Sequence, residues 1–358
     1  MRIKKALFLG TLCTAVSGMS LFAQAGVSYA KSAEKTTEAA SSEEAESEEE
    51  TSEEVTYPIT IEHAFGETVI ESKPERIATV GWGNQDTPLA LGIAPVGVSA
   101  ANYGLVTDHK LHLWTDEAFA DLGVEKPVVF DDVDGLDFEQ ISDCNPDVIL
   151  AAYSGMTQED YDTLSQIAPV IPYKEKAWQT SWREQTIENA EGMGMKPEGE
   201  KKVKEVEDLI AEKLEEYPEL EGIPTAFCWI SADDFSTFYV YLPTDPRAAY
   251  LLDLGLTLPE SVQKLAGETD DFNITVSREN ADQLDDIQLM VVYGDEDLLK
   301  SLQEDKLMSQ IPAIKNGAVA LVDSTSALAG ASTPSILSIP YEIDEYLQLL
   351  SDAAENIK

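Results

Sequence analysis

Between Pro197 and Pro218 the apolar residues Val203, Val206, Leu209, Ile210, Leu214 and Tyr217 recur at spacings of three and four, and the positions between them are almost all Glu, Asp or Lys. That pattern predicts a helix of about five turns, roughly 30 Å long, with one apolar stripe facing protein and the rest facing water. Pro197 fits a first turn and Pro218 stops the helix. Taken alone the stretch suits an ordinary surface helix as well as a rod holding two bodies apart, so its flanks decide.

On the N-terminal side, YPITIEHAFGETVIES (Tyr57 to Ser72) alternates around Gly66 and predicts a hairpin. A strand follows at Ile77 to Val80, then a loop with Trp82 and Asn84, a short helix from Asp86 to Leu91 and a strand at Val96 to Val98. The segment DVILAAYSGMTQEDYDTLSQIAPVIPY repeats the unit: strand, loop with Tyr153 and Ser154, helix, and a strand near Val170. Past Pro218 the pattern restarts with a strand, TAFCWI (Thr225 to Ile230). It leads into a polar and aromatic stretch, SADDFSTFYVYLPTDP, then the helix RAAYLLDLGL. Another strand, loop, helix and strand run through IQLMVVYGDEDLLKSLQEDKLMSQIPAIKNGAVALVD, and a helix from about Ile339 to Ala354 closes the chain. Alternation of this kind predicts an α/β fold. The expected architecture is two parallel-sheet α/β lobes, 57–196 and 219–358, joined by a single long connecting helix, 197–218. A ligand cleft lies where the carboxyl ends of the strands face each other.

Length agrees, since 358 residues exceed what one core usually serves. The start, MRIKKALFLGTLCTAVSGMSLFAQAG, has a basic end, an apolar run and small residues, and predicts a secretory signal within 1–30, cleaved after Ala25 or after Ala30. Cys13 lies in the apolar run, but Leu12 before it is not the small residue that lipid modification favours, so a lipid anchor there is left open. Residues 31–56 are mostly Ser, Thr, Ala and Glu and read as an acidic disordered linker. Cys144 and Cys228 fall in opposite halves and are expected as two buried thiols. The net charge of -43 argues against nucleic acid and anionic lipid as partners.

The candidate chemistry is aromatic. Trp82, Tyr103, Trp114, Tyr153 and Trp178 fall after strands or in long loops of the first half. Trp229, Phe238, Tyr239 and Tyr241 do so in the second. Such residues bury large surfaces while Trp and Tyr keep a polar edge, which suits a partly polar organic ligand, although each could equally be core. No nucleophile elbow, phosphate loop or zinc helix is present. His109 and His112, with His63 upstream, read as solvated rather than metal-ligating, and Asp131, Asp132 and Asp134 lack calcium-loop spacing. No metal site, no cofactor and no enzymatic activity are expected; a hydrolase or reductase reading finds no motif, and an adhesive surface protein would need no cleft.

The order of several segments resembles the substrate-binding proteins of iron-siderophore and vitamin B12 ABC importers. The matching pieces are HAFGETVIESKPERIATV, LGIAPVGV, GLDFEQISDCNPDVILAAY, LSQIAPVIPY followed by Trp178, ITVSRENADQL and IPAIKNGAV, together spanning about residues 57–355. The resemblance implies an extracytoplasmic, monomeric protein, at the cell surface or in the periplasm. It would capture a ferric siderophore and deliver it to a permease, the iron being held by the chelator. A corrinoid or haem is the alternative ligand. Ligand contacts are expected from the aromatics above together with Asn84 and Arg247, with Arg183 as a second cleft cation. The resemblance also implies that Glu139 in LDFEQI and Glu279 in VSREN dock the permease; both would suit a helix first turn in any case. With few cleft cations, a hydroxamate or other near-neutral chelate is favoured over a tris-catecholate. A stiff connecting helix would keep free and bound forms within a modest rotation.

Overall fold

The computed structural model describes residues 55–132 and 135–358. The signal, most of the linker, Cys13 and Asp134 lie outside them. Strands β1 (Ile59–His63) and β2 (Gly66–Ile70) form the expected hairpin, with His63 opposite Gly66.

The first large sheet has strands β3 (Ile77–Thr79), β4 (Gly97–Ser99), β5 (Val129–Phe130), β6 (Val148–Ala151) and β7 (Val170–Pro172) in the order β5-β4-β3-β6-β7. Every neighbouring pair is parallel. Strands β3, β4, β6 and β7 are buried throughout, so they read as short apolar runs rather than alternating ones, as strands covered on both faces do. The crossovers carry α1 (Asp86–Ala90), α2 (Leu113–Asp121), α3 (Phe138–Asp143) and α4 (Gln158–Leu164), and α5 (Trp182–Gly192) follows β7. Thr157 and Ser181 close reciprocal capping boxes with Asp160 and Glu184, which sets where α4 and α5 begin.

Helix α6 (Lys196–Leu214) is the connecting helix. It stops four residues short of the expected Pro218, because the residue before a proline avoids the helical region. Tyr217 sits at φ -127°, ψ 52°, and Pro218 opens a separate 3-10 turn. Gly199 lets α6 approach α5, since a Cβ there would lie 2.5 Å from that of Ala190. Val203, Val206 and Ile210 are buried in one core with Leu251, Leu347 and Leu350, while Leu209 is only half-buried. Lys213 pairs with Asp344 at 2.6 Å, so the helix is fastened at both ends to different lobes.

The second sheet comprises β8 (Thr225–Trp229), β9 (Thr237–Tyr241), β10 (Asn273–Ser277), β11 (Leu289–Tyr293) and β12 (Val319–Val322), ordered β10-β9-β8-β11-β12. Around it lie α7 (Pro246–Asp253), α8 (Glu260–Ala266), α9 (Glu296–Glu304), α10 (Pro312–Asn316), α11 (Ala327–Ala331) and α12 (Ser338–Ala354). Strands β8, β11 and β12 are parallel, but β9 runs antiparallel to both its neighbours. The stretch read as a polar and aromatic connection therefore contains a strand: TFYVY is half-covered, and the acids of SADDFS before it hid the alternation. Cys144 and Cys228 are buried free thiols, as expected. Among the described residues no helix is long and apolar enough to cross a membrane.

Candidate functional site

The site begins at the carboxyl end of β3. Gly81, at φ +82°, lets the chain pass close to the loop after β6; a Cβ there would meet the Tyr153 carbonyl at 2.6 Å. Asn84 then locks the two loops. Its Nδ2 donates to the carbonyls of Val80 (2.7 Å) and Tyr153 (2.9 Å), and its Oδ1 accepts from the Tyr153 amide, Gln185 and Asn189. With 0% exposure and both ends of the amide engaged within the protein, Asn84 shapes the site from behind, contrary to its expected role as a ligand contact.

What the lock presents is aromatic. The Trp82 and Tyr153 rings each meet Trp178 edge to face, at 5.8 and 5.3 Å between centroids. Trp178 reaches this place from a left-handed backbone (φ +63°), and Gly155 leaves room for its indole, which a Cβ there would meet at 2.5 Å. Trp114 is on α2 rather than in a loop and is 5% exposed; its indole N–H donates to Asp86 Oδ2 at 2.9 Å. His112 stacks on it at 4.5 Å instead of being solvated, and burial pushes its pKa down to about 4, so the ring is neutral near pH 7.

From the second lobe, Tyr293 meets Tyr103 edge to face at 5.2 Å. The Arg247 guanidinium lies 3.9 Å from the centroid of Tyr241. Asp245, fully buried, grips that guanidinium with two bonds of 2.8 and 2.6 Å. Burial pulls the Arg247 pKa down, and the bonds and charge of Asp245 more than reverse it. Burial raises the hydroxyls of Tyr103 (to about 12), Tyr153 and Tyr293, which therefore stay neutral.

Other expected residues lie elsewhere. Arg183 is not a cleft cation: it pairs with Glu207 of α6 (2.6 Å) and Asp253 of α7 (2.7 Å) and lies over Trp182. Phe238 is core, at 1% exposure. Trp229 and Tyr239 are strand residues, each 40% exposed, with rings 5.5 Å apart and outside the cavity lining. Glu139 stands in the first turn of α3 and Glu279 in the first turn of the 3-10 helix Arg278–Gln283, both exposed. His109 bonds Asp116 at 2.8 Å, and His63 bonds Thr68 at 2.9 Å.

Between the lobes lies a narrow, partly open cavity with a free volume of about 40 Å³, whose lining includes neither Trp178 nor Tyr241 and Arg247. Trp82, Tyr103, His112, Trp114 and Tyr153 line it from one lobe, and Gly330 with Thr333 to Ser335 from the other. None of its described lining residues is Lys or Arg. A neighbouring recess of about 330 Å³ shares Trp82 and Asn102 and is lined also by Trp178. Sequence reasoning missed His112, Asp86, Gln185 and Ser335. A helix-starting acid and a serine in a small-residue loop carry no local signal of burial, which only the lobes' approach creates.

Two α/β lobes on a connecting helix, with an aromatic cavity between facing strand ends, define a two-lobed binding protein. The chain belongs to the periplasmic binding protein family, whose model matches residues 77–325. It is 48% identical to PiaA of Streptococcus pneumoniae TIGR4, solved in complex with ferrichrome, at a TM-score of 0.81 over 84% of this chain and 100% of that one. The petrobactin-binding protein YclQ of Bacillus subtilis is 24% identical over 305 residues, 81% of this chain and 88% of YclQ. SirA of Staphylococcus aureus, solved with staphyloferrin B, shares the fold at a TM-score of 0.64 and 23% identity, over 84% of this chain and 99% of SirA.

Proposed function

We propose that this protein captures a ferric siderophore outside the cytoplasm and hands it to an ABC importer permease, and that the chelate is near-neutral, of the hydroxamate class. One observation carries the ligand class: the inter-lobe cavity is walled by aromatic rings from the first lobe, holds the buried acid Asp86, and has no Lys or Arg among its described lining residues. Arg247, the cation nearby, is already neutralised by Asp245. A highly anionic tris-catecholate would meet no free counter-charge there and would approach a chain of net charge -43. A hydroxamate chelate asks for apolar walls and a few neutral donors, which Trp82, Tyr103 and Tyr153 supply. The likeness to PiaA, which was solved with ferrichrome, supports the same reading.

In this reading the chelator holds the iron, the protein needs no resident cofactor, and it acts as a monomer. Glu139 and Glu279, exposed on different lobes, meet the permease and set orientation more than affinity. The relatives' names describe binding proteins, and no observation favours hydrolysis, reduction, a corrinoid or haem. Adding ferrichrome should quench tryptophan emission, because Trp82 and Trp114 line the cavity; unchanged emission with every ferric hydroxamate tried would overturn the proposal.

A further inference from the structure

Asp86 is a first-turn helix acid, a position that by itself calls for no function. Its surroundings are unusual. The carboxylate is 1% exposed and accepts from four donors: Oδ1 from Thr115 Oγ1 (2.9 Å) and Gln85 Nε2 (3.2 Å), Oδ2 from Trp114 Nε1 (2.9 Å) and from the Ser335 hydroxyl. The first three belong to its own lobe. Ser335 belongs to the other, where it builds the start of α12: its amide donates to Ser338 Oγ (2.8 Å) and its Oγ accepts from the Ser338 amide (3.0 Å). One buried carboxylate thus joins the indole that lines the cavity on one side to the cap of the helix that backs it on the other.

A second cross-lobe contact lies beside it. The Leu105 amide donates to the Ser326 carbonyl at 2.9 Å, and Gly104 meets Gly330 so closely that a Cβ on Gly104 would lie 2.7 Å from the Gly330 nitrogen. The segment from Ser326 to Ser338 is therefore held to the first lobe at both ends, and its middle, Gly330 and Thr333 to Ser335, is cavity wall.

We propose that Asp86 is an inter-lobe positioning residue: through Ser335 it sets the spacing between the Trp114 wall and the Thr333 to Ser335 wall, and with it the resting width of the cleft that the ligand enters. Without the bond the lobes sample wider separations. The observed dissociation constant then rises in proportion as the competent fraction falls.

The inference rests on the siderophore reading for its ligand, and the test separates the two. Ser335→Ala removes the cross-lobe donor. Thr115→Val removes a donor to the same carboxylate within one lobe, and Ser338→Ala damages the same helix cap without touching Asp86. With ferrichrome as probe, Ser335→Ala should raise Kd about tenfold, mainly through faster dissociation, while Thr115→Val and Ser338→Ala lower the melting temperature and leave Kd within about twofold. In ligand-free protein, hydrogen exchange at the Leu105 amide should quicken in Ser335→Ala and not in either control. An unchanged Kd in Ser335→Ala, or equal losses in all three, would overturn the assignment. If the wild type binds no ferric hydroxamate, the hydroxamate reading fails, and the Leu105 exchange rates alone decide whether Asp86 positions the lobes.

Discussion

The two sides of the cleft are built in opposite ways. On the α1–α2 side the lobes meet through a buried carboxylate–hydroxyl bond, Asp86 with Ser335, flanked by the more exposed Leu105–Ser326 bond and the close approach of Gly104 to Gly330. Around Trp178, at the other side, the contacts are at the surface. Lys176 pairs with Asp270, their side chains 47% and 81% exposed, and Gln179 donates to the Asp270 carbonyl at 2.9 Å. A buried carboxylate cannot lose one donor without leaving an unmet acceptor in a dry place, whereas an exposed ion pair exchanges its partner for water at little cost. The first side is a seam and the second a latch at most. Any change in cleft width should pivot on the seam.

The largest effect should come from wedging the seam. Gly104→Val adds a branched side chain at φ +75° against the Gly330 backbone, and denaturant unfolding should show a loss of about 4 kcal/mol, combining backbone strain and overpacking.

Next is the pH dependence that His112 lends the seam. Its folded pKa of about 4 lies below the ordinary 6.5, so above pH 6.5 both states are neutral and the contribution is complete. As pH falls toward 4 the unfolded chain takes the proton first, and about 3 kcal/mol is lost. His112→Phe keeps a ring against Trp114 without titrating. Its stability relative to wild type should rise by that amount between pH 7 and 4, and parallel curves would place His112 in water.

How much of this was legible beforehand can be judged from the same residues. The strands β3, β6 and β8, the connecting helix and the aromatic residues Trp82, Tyr103 and Tyr153 followed from apolar runs, three-and-four spacing and position after strands, all local signals. Strand β9 did not, because its acidic lead-in masks a half-covered alternation. Asn84 and Arg247 were picked out, but their partners Tyr153, Gln185 and Asp245 decide whether the side chain is free, and two of Asn84's partners come from 69 and 101 residues away. Ser335 and Asp86, 249 positions apart, had no pattern to betray them.

Smaller effects should appear as the test moves from the seam toward solvent. Trp82→Ala, which empties part of one cavity wall, should weaken ferrichrome binding by about 2 kcal/mol, near 30-fold, with little change in stability because the ring is only half-buried. Lys176→Ala on the exposed side should change unfolding free energy by no more than about 0.5 kcal/mol, and less still at high salt. A loss there as large as that from Gly104→Val would erase the distinction between the sides.

In the proposed function a near-neutral ferric chelate sits in the aromatic cleft between the lobes, which has no Lys or Arg among its described lining residues. Titration calorimetry of the wild-type protein with ferrichrome and, in parallel, with a ferric tris-catecholate tests it most directly. Ferrichrome should occupy one site per chain at about micromolar Kd or tighter, and the catecholate should bind at least about tenfold more weakly. No heat from ferrichrome, or tighter binding of the catecholate, would contradict it.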